Sequence, residues 1–328
     1  MNRVKRWLMQ MLMAKPSMYS SSLVANVLGM QFFRRFVFWL HRVVRVPKGT
    51  PSEYCAVLAA LKKDGYYLIP DFLPAEDHLR LQAEYARLAS EFAVDHSAVP
   101  LPRVSGMSLH DRRIERSVAD VFLDHPLFPA VARAFLNRTY HFPMQGFFTR
   151  IECDADELSL PKNGGTNNLH FDAPTRVLKF FYLVNDVTEA QGPLTYCVGS
   201  NRRSLKQLWL EYKLSIRYAK NRTSMMHGGE YRDGDPWVKV TSEEMREAGL
   251  VETPVVGKAN TLIIADVGGF HRRGTFRVPG ERTTVEINYR NIECLRNDLY
   301  PLEQFLRKIL GRPAAGAGMA IPATEAQY

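Results

Sequence analysis

Two side chains that can bind a metal ion stand two positions apart in the segment NNLHFDAP (167–174). They are His170 and Asp172. Residues i and i+2 of a β-strand point to the same side, so an imidazole and a carboxylate at this spacing can reach one ion. A His-x-Asp pair also arises by chance in many chains. The pair therefore predicts a metal site only if the rest of the chain supplies further ligands.

A third candidate ligand lies far downstream. His271 follows an apolar run in the segment ADVGGFHRRGTF (265–276), and Arg282 begins the next predicted strand. Two histidines and one carboxylate on one face of an octahedron are the ligands of non-haem Fe(II) oxygenases, which keep the other face open. The planar guanidinium of Arg282 can pair with the far carboxylate of a diacid such as 2-oxoglutarate. Together these residues predict an Fe(II) centre that uses 2-oxoglutarate and O₂.

Motifs for other chemistries are absent from the sequence. It contains no His-Glu-x-x-His, no Gly-x-Ser-x-Gly, no P-loop and no dinucleotide-binding glycine fingerprint. The four cysteines are far apart and form no Cys-x-x-Cys pair, so we expect reduced thiols in a cytoplasmic protein. Most remaining histidines are interpreted as ordinary surface or core residues. His227 lies in a polar, glycine-containing loop and is a candidate substrate contact.

The elements that must hold these residues are short strands. The pattern of 54–94 predicts a helix, a turn at Asp64-Gly65, a strand and a second helix, and 120–136 is a further helical pattern. Five β-rich runs follow, which are 144–153, 177–186, 192–200, 260–267 and 282–291. Short strands separated by Gly, Pro, Asn and Asp predict a sandwich or jelly roll. A helical pattern over 204–220 interrupts them. We interpret the insertion, about 203–250, either as a lid over the site or as scaffold.

The positive charge of the chain is concentrated at its N-terminus. Residues 1–52 contain nine Lys or Arg and no acid, whereas the whole chain has 43 basic and 34 acidic residues, so the remainder is balanced. This placement argues against a nucleic-acid-binding core. The predicted organisation is a basic helical extension (1–52), an enzyme domain (53–311) and a flexible tail (312–328) rich in Ala, Gly and Pro.

The segment FFRRFVFWLHRVVRV (32–46) has the pattern of an amphipathic helix. Its arginines fall on one side and its aromatic and aliphatic residues on the other. Two interpretations stay open: residues 1–48 lie on an anionic membrane surface, or the apolar side of the helix packs on the enzyme domain. The segment is too interrupted by arginine to cross a bilayer. Residues 1–31 also share features with transit peptides. We expect a cytoplasmic location, peripheral at the membrane under the first interpretation.

The chain resembles the phytanoyl-CoA dioxygenase-like family of Fe(II)/2-oxoglutarate oxygenases over about residues 54–291. The resemblance rests on four stretches, which are LKKDGYYLIPDFLPAEDHLRL (61–81), LHFD (169–172), FYLVNDVTEAQGPLTYCVGSNR (181–202) and GGFHRRG (268–274) with Arg282. It implies a mainly β fold with flanking helices, namely a cupin-like double-stranded β-helix (jelly roll) with helices outside one sheet. It also implies hydroxylation of a C–H bond coupled to conversion of 2-oxoglutarate to succinate and CO₂.

Residue by residue, the resemblance assigns a set of roles. The iron ligands are His170, Asp172 and His271, and the contacts to 2-oxoglutarate are Arg282, Phe181 and Thr149. Arg273 departs from the family pattern, which often has a small hydroxyl residue at that position. Because Asp172 is retained, the resemblance argues against halogenation.

The motif does not name the substrate. Several basic residues lie near the predicted site strands and favour an anionic group, and of these we expect Arg176 and Arg273 to contact the substrate together with His227. With the amphipathic N-terminus, this predicts a small-molecule or lipid substrate, such as an acyl thioester, a lipid head group or a lipid-linked sugar. No obligate protein partner is expected. Two alternatives are a cupin-like metal enzyme that is not an oxygenase and a pseudoenzyme that binds at a membrane surface.

Overall fold

The computed structural model describes residues 22–44, 52–94, 103–136, 145–159, 167–172, 176–226 and 240–289. In these ranges the α-helices are α1 (Leu23–Val27), α2 (Met30–Val44), α3 (Cys55–Lys63), α4 (Ala75–Leu88), α5 (Arg116–Leu123), α6 (Leu127–Leu136), α7 (Leu205–Met226) and α8 (Ser242–Glu247). Helix ends follow local sequence. At the start of α8, for example, Thr241 and Glu244 form a capping box in which each side chain accepts from the other residue's backbone N–H.

The strands form two antiparallel sheets. They are β1 (Tyr66–Ile69), β2 (Ala93–Val94), β3 (Arg103–Ser108), β4 (Gln145–Cys153), β5 (Leu178–Leu183), β6 (Leu194–Cys197), β7 (Glu252–Val255), β8 (Leu262–Asp266), β9 (His271–Arg273) and β10 (Gly280–Tyr289). The larger sheet has the order β1-β8-β5-β10-β4-β3-β2, and the smaller sheet has the order β7-β6-β9. The chain crosses repeatedly between the two sheets, as a jelly roll requires. The predicted mainly β jelly-roll fold with flanking helices is confirmed, whereas the amphipathic N-terminal extension stays a prediction.

The two faces of the larger sheet have different neighbours. Its outer face, with Phe180 and Val285, packs in one core with α3, α4, α5 and α6. Its inner face, with Leu183 and Ile263, packs against Val255 of the smaller sheet. This alternation follows the two-residue period of strands. The candidate residues Phe181 on β5 and Arg282 on β10 alternate with the outer core residues, so they lie on the inner face of the larger sheet.

A further core lies behind the smaller sheet. Leu210 and Leu214 of α7 are buried there with Phe171 and Phe270, which flank the candidate metal ligands in sequence. The helices that the resemblance implied outside one sheet are present on the larger sheet, and α7 and α8 pack behind the smaller sheet in addition. Burial of Leu210 and Leu214 favours the scaffold interpretation for the first part of the insertion, although Leu205 and Trp209 of the same helix are exposed. Residues 227–239, including His227, lie outside the described ranges.

The strand predictions hold where the apolar runs are long. β4, β5, β6 and β8 lie within four of the predicted runs, β10 overlaps the fifth but begins two residues earlier, and α3, β1 and α4 follow the order predicted for 54–94. The sequence does not predict β2, β3, β7 and β9. β9 has only three residues, and a segment that short gives no periodic signal.

The N-terminal helices pack on α7 through polar groups. Asn26 of α1 donates to the carbonyl of Ser215 at 2.7 Å, and Arg35 of α2 forms two hydrogen bonds with Glu211, at 2.8 and 2.7 Å. Phe33 on the other side of α2 is exposed. The interpretation that the apolar side of this helix packs on the enzyme domain is therefore wrong for the described side chains of α2. The buried carboxylate of Glu211 attracts the cationic side of α2 instead. None of the helices in the described ranges has the length and hydropathy needed to cross a membrane.

The predicted domain limits at residues 52 and 311 stay predictions. Residues 1–21 and 45–51 of the extension and all residues from 290 onward, including the tail, lie outside the part of the chain that the structure describes.

Candidate metal centre

Backbone pairing brings the distal histidine to the His-x-Asp segment. The N–H of His170 donates to the carbonyl of His271 at 2.9 Å, and the N–H of His271 donates to the carbonyl of His170 at 2.8 Å. This antiparallel bridge adds His170 to the edge of the smaller sheet at β9. Asp172 is held next to the pair because its N–H donates to Val267 at 2.9 Å. The two segments are distant in sequence, yet hydrogen bonds fix their relative register.

The three side chains converge on one point. Oδ1 of Asp172 lies 3.5 Å from Nε2 of His170 and 3.5 Å from Nε2 of His271. One potential ligand atom from each residue lies within 4.8 Å of the other two. Ligands about 2.1 Å from one ion and at right angles to each other are about 3 Å apart. The observed set therefore fits three adjacent positions around a single metal ion.

Both imidazole rings are oriented by backbone carbonyls. Nδ1 of His170 lies 2.6 Å from the carbonyl oxygen of Asn168, and Nδ1 of His271 lies 3.0 Å from that of Gly269. A carbonyl oxygen can only accept, so Nδ1 carries the proton in both rings and Nε2 is the nitrogen that can bind a metal. Burial and the neighbouring His170 lower the pKa of His271. This ring is therefore neutral, as a ligand must be.

A glycine next to the distal ligand leaves room for a core tyrosine. A Cβ built on Gly269 would overlap the hydroxyl of Tyr196, which donates to the carbonyl of Asp266 at 2.7 Å. The GGFH sequence is thus required by the close approach of this backbone to the smaller sheet. The turn that carries His271 owes its position to that contact.

Lys179 of β5 fixes the orientation of the carboxylate. Its Nζ lies 2.7 Å from Oδ2 of Asp172, so Oδ1 is the oxygen that faces the two histidines. Burial alone would raise the pKa of Asp172. The charge of Lys179 outweighs burial and holds that pKa well below its usual value. The carboxylate is therefore ionised at neutral pH, ready to bind a cation.

A cavity between the two sheets extends from the triad. Its enclosed volume is about 110 Å³, and it opens to solvent at its mouth. Its wall is largely apolar, and the apolar residues are Ile151, Phe181, Leu183, Val187, Leu194, Val255 and Ile263. His170, His271, Arg282 and Thr284 lie on the same wall. One space thus joins the candidate ligands to an apolar interior.

Two buried polar atoms in this cavity have no hydrogen-bond partner among the described residues. They are Nε of Arg282 and Oγ1 of Thr284. The Nη1 group of Arg282 donates to the carbonyl of Gly192. Burial and the charge of Arg273 lower the pKa of Arg282 to about 10, so it remains charged at neutral pH. A buried cation and a buried hydroxyl with unused hydrogen-bonding capacity fit an anionic, oxygen-rich ligand.

The predicted co-substrate and substrate residues are only partly brought together. Phe181 and Arg273 line the cavity. Thr149 lies on β4 directly opposite Thr284 of β10, so it shares the inner face of the larger sheet. Arg176 does not line the cavity. Its guanidinium donates to the carbonyl of Phe135 at 2.9 Å and lies 4.5 Å from the centroid of that ring.

The predicted substrate contact at Arg176 is therefore wrong, since this cation is used in packing under α6. Other basic residues that suggested an anionic pocket are likewise held by partners within the protein. Arg272 forms an ion pair with Glu252 at 2.6 Å, and Arg203 forms one with Glu211. His227 lies outside the described residues.

Sequence reasoning missed Thr284 and did not assign a role in the site to Lys179. Both have a signal in retrospect. Thr284 is two residues after Arg282 on the same strand, and residues at that spacing share a face. Lys179 is two residues before Phe181 on β5, so these two side chains also share a face of the sheet. Glu286, which also lines the cavity, continues the series on β10.

Comparisons with known proteins agree with this fold and site. No relative among curated proteins matches the chain. Two solved structures of SnoN, a non-haem α-ketoglutarate-dependent epimerase from nogalamycin biosynthesis, have the same fold. One contains Fe³⁺, α-ketoglutarate and nogalamycin RO; it is 16% identical, covers 73% of this chain and 84% of its own, and has a TM-score of 0.51.

The other SnoN structure is also 16% identical, covers 73% of this chain and 83% of its own, and has a TM-score of 0.50. These similarities show a shared fold. The family model described as phytanoyl-CoA dioxygenase (PhyH) matches residues 61–243, which is more than half of the chain. This match includes the His-x-Asp segment, and the chain belongs to the phytanoyl-CoA dioxygenase family.

Proposed function

We propose that the chain is a non-haem Fe(II)/2-oxoglutarate-dependent oxygenase that hydroxylates a C–H bond of an acyl, lipid or lipid-linked substrate. One observation carries the proposal. The ligand atoms of His170, Asp172 and His271 stand within 4.8 Å of one another. They do so beside a cavity in which Arg282 and Thr284 have buried polar atoms without partners among the described residues. A metal ion and a dicarboxylate are the groups that complete the two parts of this site.

The residues of the chain hold and orient the reacting groups. His170, Asp172 and His271 hold iron from one side, which leaves the other coordination positions for the co-substrate and oxygen. Bound together, iron, 2-oxoglutarate and O₂ supply the oxidant that converts C–H to C–OH, with release of succinate and CO₂. Membership of the PhyH family supports this cofactor set.

Co-substrate binding is assigned to the cavity wall on β10 and its neighbours. Arg282 and Thr284 receive the carboxylate of 2-oxoglutarate that is remote from the iron, through the guanidinium and hydroxyl groups that have hydrogen-bonding capacity to spare. Phe181 on β5 lines the same cavity and would flank the carbon chain of a co-substrate bound there, and Thr149 on β4 lies opposite Thr284. A bidentate Arg–carboxylate pair fixes direction as well as position.

The apolar wall of the cavity supports the substrate class. Leu194, Val255 and Val187 lie at the junction of the two sheets and offer no hydrogen-bonding side chain. An acyl chain fills such a surface favourably, since its burial removes apolar area from water. Arg273, which also lines the cavity, supplies the positive charge for an anionic head group on the substrate.

An anaerobic titration of the purified protein with Fe(II) and then 2-oxoglutarate tests the proposal. The expected result is the weak visible charge-transfer band of an iron-bound 2-oxo acid. We expect the band to be lost in His170→Ala and to require more 2-oxoglutarate in Arg282→Ala. His110→Ala and Arg246→Ala remove an exposed histidine and an exposed arginine, and both should behave as wild type.

A well-folded protein that binds Fe(II) but gives no band with 2-oxoglutarate would favour a cupin-like metal enzyme of another reaction class. A protein that binds neither would favour a binding pseudoenzyme. Asp172→Ala separates these cases further. An oxygenase loses succinate formation in this variant, whereas a binding protein keeps its ligand.

A further inference from the structure

The helices α1 and α2 and the helix α7 share an exposed apolar surface, which we call the aromatic face. Its residues and exposed fractions are Val24 (69%), Val27 (51%), Leu28 (81%), Phe32 (38%), Phe33 (51%), Phe36 (56%), Trp39 (54%), Leu205 (85%) and Trp209 (54%). These nine make up most of the large hydrophobic side chains that are exposed in the described part of the chain. Exposed apolar residues are normally scattered singly. Their concentration on α1, α2 and α7 therefore indicates a binding surface.

Ring stacking makes the aromatic face continuous across the helices. Tyr212 of α7 stacks on Phe32 of α2 at a centroid distance of 5.3 Å and on Trp209 at 5.1 Å. Phe36 and Trp39 stack on each other at 5.9 Å. The hydroxyl of Tyr212 donates to a carbonyl of α1 at 3.0 Å. The face is thus a preformed surface on helices that contact one another.

The polar side of α2 explains why the aromatic side points outward. Arg34 is fully buried, and Arg35 and Gln31 both donate to the buried carboxylate of Glu211 on α7. Rotation of α2 to bury its aromatic side would break these bonds and leave Glu211 without them in the interior, which is costly. The fold therefore holds the aromatic face in contact with solvent.

We propose that the aromatic face docks on an anionic lipid membrane surface. Charge complementarity selects this occupant: besides the inward-turned Arg34 and Arg35, residues 1–52, which carry most of the face, contain seven Lys or Arg and no acid. Anionic lipids attract such a segment, and Trp side chains favour the interface between head groups and acyl chains. The surface lies on the bilayer without crossing it.

The same charge argues against a second copy of the chain as the occupant. A symmetric dimer through the aromatic face would bring two acid-free basic segments together, and like charges in an interface oppose association. A lipid surface has no such penalty, because its charge is opposite. The proposal does not depend on the reaction that the enzyme catalyses.

Vesicle binding by the full-length chain tests the proposal. We expect co-sedimentation with vesicles of phosphatidylcholine containing about 30% phosphatidylglycerol, little binding to pure phosphatidylcholine, and weaker binding at about 0.5 M salt. The double variant Phe33→Ser, Phe36→Ser should bind at least about tenfold more weakly, since it removes two exposed rings from the membrane contact. Leu79→Ser is the matched control, because Leu79 is 63% exposed on α4, away from the face.

Trp209→Ser on α7 provides an independent variant if the double variant does not fold. Circular dichroism and thermal unfolding establish that each protein is folded before vesicles are added. Equal binding of wild type and folded face variants to anionic vesicles would overturn the proposal, as would the absence of any wild-type binding. Sedimentation equilibrium tests whether a second copy of the chain occupies the aromatic face instead of a membrane. A wild-type dimer that the face variants dissociate, without vesicle binding, would assign the surface to a second copy and overturn the proposal.

Discussion

The guanidinium of Arg35 lies over the ring of Phe171, with 4.9 Å between its carbon and the ring centroid. Phe171 is the residue between His170 and Asp172 in sequence, and it is fully buried. An arginine of the N-terminal helix α2 therefore packs directly behind two candidate metal ligands. Through this contact, helix α2 of the N-terminal extension packs against the segment that carries His170 and Asp172.

Arg203 completes the contact from the other side. Its guanidinium lies 4.8 Å from the centroid of Phe171 and 4.3 Å from that of Phe270, the residue before His271. Arg203 and Arg35 both form ion pairs with Glu211 of α7. One buried carboxylate thus positions two arginines against the segments that carry all three candidate ligands.

Arg35→Ala is expected to weaken metal binding although Arg35 is not a ligand. Loss of a group that positions ligands typically lowers metal affinity by about 10- to 100-fold. We expect an effect near the lower limit, because Arg203 remains. Competition of the protein with a chromophoric chelator for Co²⁺ measures this affinity. Arg246→Ala, at an exposed site, is the control. Unchanged affinity in a folded Arg35 variant would show that α2 supports only the fold.

Glu211 predicts a defined acid sensitivity of the metal-free protein. Burial would raise its pKa, but the charges and hydrogen bonds of Arg35 and Arg203 lower it to about 2 from the ordinary value of 4.5. A depressed folded-state pKa stabilises the protein above the unfolded-state pKa, and this contribution is lost as the pH falls toward the folded-state value. Its size is on the order of 3 kcal/mol at neutral pH.

Urea unfolding with a chelator present measures this contribution. Between about pH 5 and about pH 3, the free energy of unfolding of the wild type should fall by about 2 kcal/mol more than that of Glu211→Gln. The variant should also be less stable at neutral pH, because two buried arginines lose their anion. Parallel pH profiles of the two proteins would contradict the assigned role of Glu211.

Part of the site could be predicted from sequence because it follows strand geometry: Arg282 belongs to a long β-rich run that is easy to identify. The strand expected at His170 and Asp172 is not formed, since His170 makes an isolated bridge and Asp172 lies in a bend. The meeting of His170 with His271 was expected from a resemblance and from the chemistry of three ligands. Local sequence contains no information on that pairing, which depends on a bridge between distant segments.

The orientation of α2 could not be predicted for a related reason. A helical pattern defines an apolar and a cationic side but does not say which side meets the domain. The deciding residue is Glu211, which lies on another helix and is buried between the two. Arg176 was misassigned in the same way. Its proximity in sequence to the ligand segment suggested the cavity, whereas its guanidinium packs on Phe135.

Lys179→Met is expected to loosen the carboxylate ligand. Lys179 holds Oδ2 of Asp172 at 2.7 Å, so its removal leaves Asp172 free to rotate and raises the pKa of that carboxyl. Metal affinity should fall about 10-fold or more, and the pH at which half of the metal is bound should rise. Co²⁺ titration across the acidic range tests both, with the exposed Lys62→Met as control. Tighter metal binding in the Lys179 variant would instead mean that the lysine competes with the metal for Asp172.

Arg282 and Thr284 are expected to affect 2-oxoglutarate and not the metal. Neither residue contacts the triad in the described structure, yet both have buried polar atoms without partners there. Hydrogen bonds to a charged group contribute about 1.5–3 kcal/mol, so Arg282→Ala should weaken 2-oxoglutarate binding by about 10- to 150-fold. Arg282→Lys should recover only part of this loss, because an ammonium lacks the planar fork. Thr284→Val should cost about 3- to 10-fold, as expected for a neutral hydrogen bond.

Anaerobic calorimetry of 2-oxoglutarate binding to the metal-loaded variants separates these contributions, and the Co²⁺ affinity of each variant serves as its internal control. The expected order of affinity is wild type, Thr284→Val, Arg282→Lys and Arg282→Ala. If Arg282→Ala bound 2-oxoglutarate as tightly as wild type, the buried guanidinium would serve only to bond the Gly192 carbonyl. The orphaned Nε would then need another anion, and the same calorimetric experiment with succinate and with inorganic phosphate would identify its class.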